Sequence, residues 1–167
     1  MKMNIQSLLR KLEESDNCNL IKSKENINFF LEIPDDLKYF YENYETAILN
    51  IDGLTQITIT PYKILKVTNE IFYPIDDVIW EELEDDISNS WFMIASSKEL
   101  GQYISIDLGK ERFGYCYDSF IETHANPDES PIIAKSFTEL LEKLVSNIEE
   151  WYWLSNSFES YGNAYSN

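Results

Sequence analysis

Hydrophobic and polar positions along the chain follow two periods, one helical and one extended, in alternating blocks. Ile5, Leu8, Leu9 and Leu12 stand at i, i+3, i+4 and i+7, which is one face of a helix. Asp16-Asn17-Cys18-Asn19 breaks it. Ser23, with Glu25 and Asn26 after it, precedes a short element through Ile27, Phe29, Phe30 and Leu31 whose type the pattern leaves open. Ile33-Pro34-Asp35-Asp36 then opens a second helix. Proline at the first helical position lacks an N–H that would have no partner there, and acids in the first turn suit the helix dipole. Leu37, Phe40, Tyr41 and Tyr44 form its buried face, and it is expected to end near Glu45.

The extended period follows. Ala47 to Asn50 and Gln56 to Thr60 read as short strands flanking Asp52-Gly53, with Pro61 stopping the second. Tyr62 to Tyr73 is predicted as a short helix ended by Pro74. From Ile75 to Ser88 the pattern predicts a further helix, anchored by Ile79 and Leu83 with Trp80 and Ile87, whose other faces are acidic. Trp91 to Ala95 is a continuous apolar run and predicts a strand buried on both faces. In Leu100 to Phe120, Tyr103, Ser105 and Asp107 alternate with Ile104, Ile106 and Leu108, so a half-buried strand is expected. After the turn Gly109-Lys110-Glu111-Arg112, Phe113, Tyr115 and Tyr117 alternate with Gly114, Cys116 and Asp118, which predicts a returning strand. His124 falls in a loop read as a surface turn, and Pro131 to Ala134 reads as an edge strand. Ser136-Phe137-Thr138-Glu139 is a capping box. It opens a helix whose stripe runs from Phe137 through Leu144 and Ile148 to Tyr152. The tail from Ser155 is expected to fray. Helices interleaved with hairpin-like strands predict one α+β domain over residues 1–154, a mostly antiparallel sheet wrapped by helices, with 1–22 as N-terminal helix and lead-in and 155–167 as a frayed tail.

Composition agrees with a folded chain: 11 Tyr, 9 Phe and 4 Trp in 167 residues are far more than a disordered chain carries. Charge changes the picture more. Thirty acidic residues against 13 basic ones give a net charge of -17. Such a field repels nucleic-acid phosphates and anionic lipid and favours a basic partner, although it also serves solubility alone. The first residues show no sustained apolar run, and no segment reaches the roughly 18 apolar residues of a membrane span. Cys18 and Cys116 stand in no metal-ligand spacing and read as plain thiols, so the chain is expected in the cytoplasm.

The sequence offers little catalytic chemistry. It has one histidine, His124, and no phosphate-binding glycine loop, zinc-protease motif or EF-hand spacing. No catalytic residue, cofactor or metal ligand is assigned. The acidic run Asp76, Asp77, Glu81, Glu82, Glu84, Asp85 and Asp86 reads as a solvated helix face or as a partner surface, and Glu81, Glu82, Glu84, Asp85 and Asp86 read, as the weakest alternative, as a divalent-cation site or acid/base pair of a hydrolase. Trp80 within it is either core or an aromatic anchor ringed by acids.

Three blocks stand in a familiar order. They are an I-P-x-x-L-x-x-F-Y helix from Ile33 to Tyr41, the strand pair over Gly101 to Leu108 and Phe113 to Tyr117, and A-x-S-F-x-E-L-L-E-K-L from Ala134 to Leu144. Together they resemble the SUKH superfamily, which includes bacterial immunity proteins and relatives of a fungal cell-wall synthesis regulator. The likeness spans about residues 23 to 150. Asn43-Tyr44-Glu45-Thr46 lacks the glycine with which many relatives end the I-P helix, and the glycine-rich approach to the hairpin is reduced to Gly101. The resemblance implies an α+β fold without enzymatic activity and an immunity protein that neutralises a cognate secreted toxin, often a nuclease. A nuclease's basic surface would suit an acidic chain. The expected contact residues are Asp76, Asp77, Trp80, Glu81, Glu82, Glu84, Asp85 and Asp86, then the hairpin tyrosines Tyr103, Tyr115 and Tyr117. The other reading is a regulatory scaffold of a signalling or cell-envelope pathway that holds a basic partner on the same surface.

Overall fold

A seven-stranded sheet runs through the middle of the molecule with every neighbouring pair antiparallel and the strands in sequence order. The computed structural model describes residues 3–166. The strands are β1 (Asn19–Lys22), β2 (Tyr44–Leu49), β3 (Ile57–Ile59), β4 (Trp91–Ser97), β5 (Gln102–Asp107), β6 (Cys116–Asp118) and β7 (Ile132–Ala134). Helices α1 (Ile5–Glu13), α2 (Asp35–Asn43) and α5 (Phe137–Ser146) pack together over one face. Their apolar stripes, Leu8, Leu9 and Leu12, Leu37 and Phe40, Leu140 and Leu144, share one core with Leu49, Ile59, Ile94, Ile104 and Ile106. The expected α+β architecture is what the chain builds. No helix among the described residues is long and apolar enough to cross a membrane.

Local chemistry explains most boundaries. Asn4 Oδ1 accepts from Ser7 N at 2.8 Å and starts α1. Pro34 sits one place earlier than expected, as the cap residue of α2, and Asp35 and Asp36 fill the first turn. Asp36 does more, because its Oδ2 accepts from both the N–H and the hydroxyl of Thr138 at 2.8 Å, joining α2 to the start of α5. Ser136 caps α5 by accepting from Glu139 N at 3.1 Å. Glu139 reaches back to Lys135 N, not to the cap residue itself.

Several predicted elements change once tertiary contacts act. β1 was not foreseen; it pairs with β2, Leu20 opposite Ala47, and only one of its four side chains is even partly covered. Tyr44 opens β2 and does not end α2, though it is buried either way. The helix predicted over 62–73 divides into a 3-10 turn (Tyr62–Ile64) and α3 (Thr68–Phe72). Between them Lys66 O accepts from Met93 N and Val67 pairs with Phe92, so strand pairing displaces helix there. α5 stops at Ser146, because Ser146 and Asn147 side chains bond the carbonyls of Glu142 and Lys143. Glu149 and Glu150 would also sit unfavourably at a helix C-terminus. The returning hairpin strand is shorter than predicted, covering only 116–118, since residues 108–115 loop around Asp107.

The opposite face of the sheet is the larger departure. β5 was expected to be half-buried, yet Ser105 and Asp107 on its polar side are buried with Trp91 and Tyr117. They are covered by α3, by the residues before β4, by the loop bearing His124 and by residues 155–166. That last segment, expected to fray, instead bonds along β7 and buries Ala164. β7 is buried on both faces and its outer edge is occupied by this segment.

Candidate functional site

Between Lys66 and Lys98 the sequence has eight carboxylates and no lysine or arginine. A helix with acids at i, i+3 and i+4 and no cation to neutralise them is weakened by repulsion. The predicted helix over 75–88 accordingly shrinks to α4 (Ile79–Glu82), with a 3-10 turn over Ile87–Ser90. Asp77 Oδ1 accepts from Ile79 N at 2.9 Å, and Asp86 Oδ1 accepts from Ser88 N at 2.8 Å. Two of the seven predicted contact acids therefore hold the segment's own backbone. Asp76, Asp77, Glu81, Glu82, Glu84 and Asp85 are exposed.

The apolar residues of this segment divide in an unexpected way. Leu83 is buried and Ile79 half-buried, as helix anchors should be. Ile75 and Val78 are 95% and 78% exposed, between Asp76, Asp77 and the acids of α4. Sequence reasoning passed over both, although an aliphatic residue off the helical stripe within an acidic run was the signal available. Trp80 is half-buried and settles between its two readings. Its Nε1 donates to Pro74 O at 2.7 Å, and its ring stands edge-on to Tyr73 at 6.4 Å.

Beneath the segment lies a chain of buried polar groups. Thr68 Oγ1 is 2.7 Å from Ser105 Oγ, which is 2.6 Å from Ser119 Oγ, which is 3.0 Å from His124 Nδ1. His124 Nε2 is 2.7 Å from Asn69 Oδ1, and Asn69 Nδ2 donates to Ser88 Oγ at 2.9 Å. His124 is thus no surface turn residue. It is 4% exposed, among Phe72, Tyr73 and Trp91, and burial holds its pKa down to about 4. A serine, a histidine and an amide stand in line as a nucleophile and its base would, and all three are buried. The network fixes the acidic segment to the sheet.

The hairpin tyrosines do not form one surface. Tyr117 is fully buried, its hydroxyl donating to Asp107 Oδ2 at 2.6 Å, so the expectation that it meets a partner is corrected: its β6 position points into the second core. Tyr115 is half-buried beside it, under the Lys135 ammonium. Tyr103 is half-buried with its ring edge-on to Phe72 at 4.9 Å, and α3 brings it near the start of the acidic segment. Farther along the same sheet face a groove of about 950 Å³ lies over Thr58, Thr60, Met93 and Ser96, with Ile71 and Leu100 among its exposed lining. Among the described residues no cluster of three or more histidine, cysteine or acidic side chains is placed to hold a metal ion.

Comparison with known proteins matches residues 22–143, the greater part of the chain, to the SMI1 / KNR4 family (SUKH-1). The chain is also similar to a protein named Immunity protein YokJ from Bacillus subtilis (strain 168), 33% identical over 166 residues that cover 98% of this chain and 96% of that protein. No solved structure matches it.

Proposed function

The chain belongs to the SMI1 / KNR4 (SUKH-1) family, and from that premise we propose that it is an immunity protein that binds and neutralises a cognate toxin without catalysing a reaction of its own. The contact surface in this proposal is the acidic segment before β4. The observation that carries it is the pairing of two exposed aliphatic side chains, Ile75 and Val78, with six exposed carboxylates in a stretch that has no cation. Apolar anchors inside a charged rim are the arrangement that concentrates binding energy at protein interfaces. The rim speeds encounter with a basic partner and rejects acidic ones. A nuclease fits as that partner, since a surface built to hold phosphates is basic. Trp80 contributes its exposed edge, and Tyr103 lies at the border.

The test is co-expression with the reading frame adjacent to this gene, reading growth rescue and co-purification. Reversing Glu81, Glu82, Glu84 and Asp85 to lysine, or changing Ile75 and Val78 to serine, is expected to weaken the complex about tenfold or more while the melting temperature stays unchanged. Variants that fold, rescue and co-purify as the natural chain does would show that this surface is the wrong one. A natural chain that rescues nothing would remove the immunity role.

A further inference from the structure

Residues 160–166 run along β7 and are held from three sides. Ile132 N donates to Gly162 O at 2.9 Å and Ala164 N to Ser130 O at 2.8 Å. Arg112, from the loop between β5 and β6, donates Nη1 to the carbonyls of Asn163 and Ala164 at 3.0 and 2.8 Å and Nη2 to that of Ser166. The Lys135 ammonium lies 4.7 Å from the Tyr161 ring centre. Ordering so many residues opposes folding, and these bonds offset that entropy only because they act together.

Their result is the placement of one side chain. Tyr165 stands edge-on to Trp91 with ring centres 5.7 Å apart. Its hydroxyl is 2.8 Å from Asp86 Oδ1 and 3.1 Å from Ala125 O. The same Asp86 oxygen accepts from Ser88 N, which starts the turn that brings Ser88 onto Asn69. Asp86 therefore joins the end of the acidic segment to the closing residues of the chain and, through Ser88, to the buried network. A stretch of like charges with no internal cation tends to spread. It stays folded against the sheet only where such ties hold it.

We propose that Tyr165 is the positioning residue of the acidic segment: through Asp86 it fixes where Glu81, Glu82, Glu84 and Asp85 stand, without touching a partner itself. The consequence for toxin binding rests on the function proposed above, whereas the brace does not. It also separates the acids into two kinds. Asp86 is an anchor, and the exposed carboxylates are the contacts.

Hydrogen exchange on the free, full-length chain tests the brace without any partner. Tyr165→Phe removes the hydroxyl and keeps the ring; Tyr165→Ala removes both. A hydrogen bond to a charged acceptor corresponds to about a tenfold change in a local opening equilibrium, so peptides over 83–90 are expected to exchange about tenfold faster in Tyr165→Phe, with β4 and β5 unchanged. Tyr165→Ala is expected to exceed that. Unaltered exchange over 83–90 in both variants overturns the brace, and so does acceleration spread evenly over the sheet. Affinity for the co-expressed toxin is read alongside. Faster local exchange with unaltered affinity would leave the brace standing and remove the acidic segment as the contact surface. Loss of binding on charge reversal with inert Tyr165 variants would do the reverse.

Discussion

His124 Nε2 stands 2.7 Å from Asn69 Oδ1, with both side chains buried. Asn69 has turned its amide nitrogen to Ser88 Oγ, so the oxygen facing the ring can only accept, and Nε2 must carry the proton. Nδ1 is then the acceptor for Ser119, Ser119 for Ser105 and Ser105 for Thr68. Each member of the chain is satisfied in one direction, which is how a row of hydroxyls survives between a sheet and its cover.

That arrangement predicts a pH dependence. Burial lowers His124 to about 4 in the folded chain, against 6.5 for a free histidine, and the nearby Asp86 only partly opposes this. Between those values the unfolded chain binds a proton that the folded chain refuses. The stability His124 contributes is complete above pH 6.5 and is lost as pH falls toward 4, by at most about 3 kcal/mol. Asp107 and Asp118, whose carboxyls burial raises, act in the opposite sense over acid pH. The readout is therefore the difference in urea unfolding between the natural chain and His124→Gln. That difference is expected to shrink as pH drops from 6.5 to 4, and a constant difference would refute the assignment.

Tyr117 separates stability from binding. Its hydroxyl donates to Asp107 Oδ2, and the other oxygen of that carboxylate accepts from Ser90 Oγ at 2.9 Å and Gly109 N at 2.8 Å. Tyr117→Phe leaves a buried carboxylate short of one donor and is expected to destabilise the fold by about 1–3 kcal/mol. Because the side chain is fully buried, toxin affinity of the folded variant is expected to stay unchanged. An affinity loss measured by calorimetry well below the melting temperature would count against the placement of the contact surface.

Asp36 links two helix starts that lie a hundred residues apart in the chain. Besides the two bonds from Thr138, its Oδ1 accepts from Leu37 N at 2.9 Å, so the carboxylate serves α2 and α5 together. Asp36→Ala is expected to destabilise by about 2 kcal/mol, more than Ser136→Ala at about 1 kcal/mol, which loses a single cap. Equal losses in chemical denaturation would show that the link between the helices contributes nothing beyond local capping.

Much of this architecture was legible in residue patterns. The stripes of α1, α2 and α5, the cap at Ser136 and the apolar run of β4 depend on spacing within one turn or one strand, and spacing is written in the sequence. The ordered blocks around them identified the family. The acidic segment was visible too, but not which of its residues face outward. Only the fold made Asp86 an anchor, exposed Ile75 and Val78 and took Tyr117 out of reach. The physical reason is common to the failures. Ser105, Asp107 and His124 look like solvent-facing residues, because polarity along a strand or loop ordinarily marks the wet side. Here segments distant in sequence supply the hydrogen bonds that let the polar side be buried, and no period in the sequence encodes a partner fifty residues away. The sequence by itself determined the main helical and strand stripes, the family and the excess of negative charge; the tertiary structure decided which of those charges stand exposed and which are tied down.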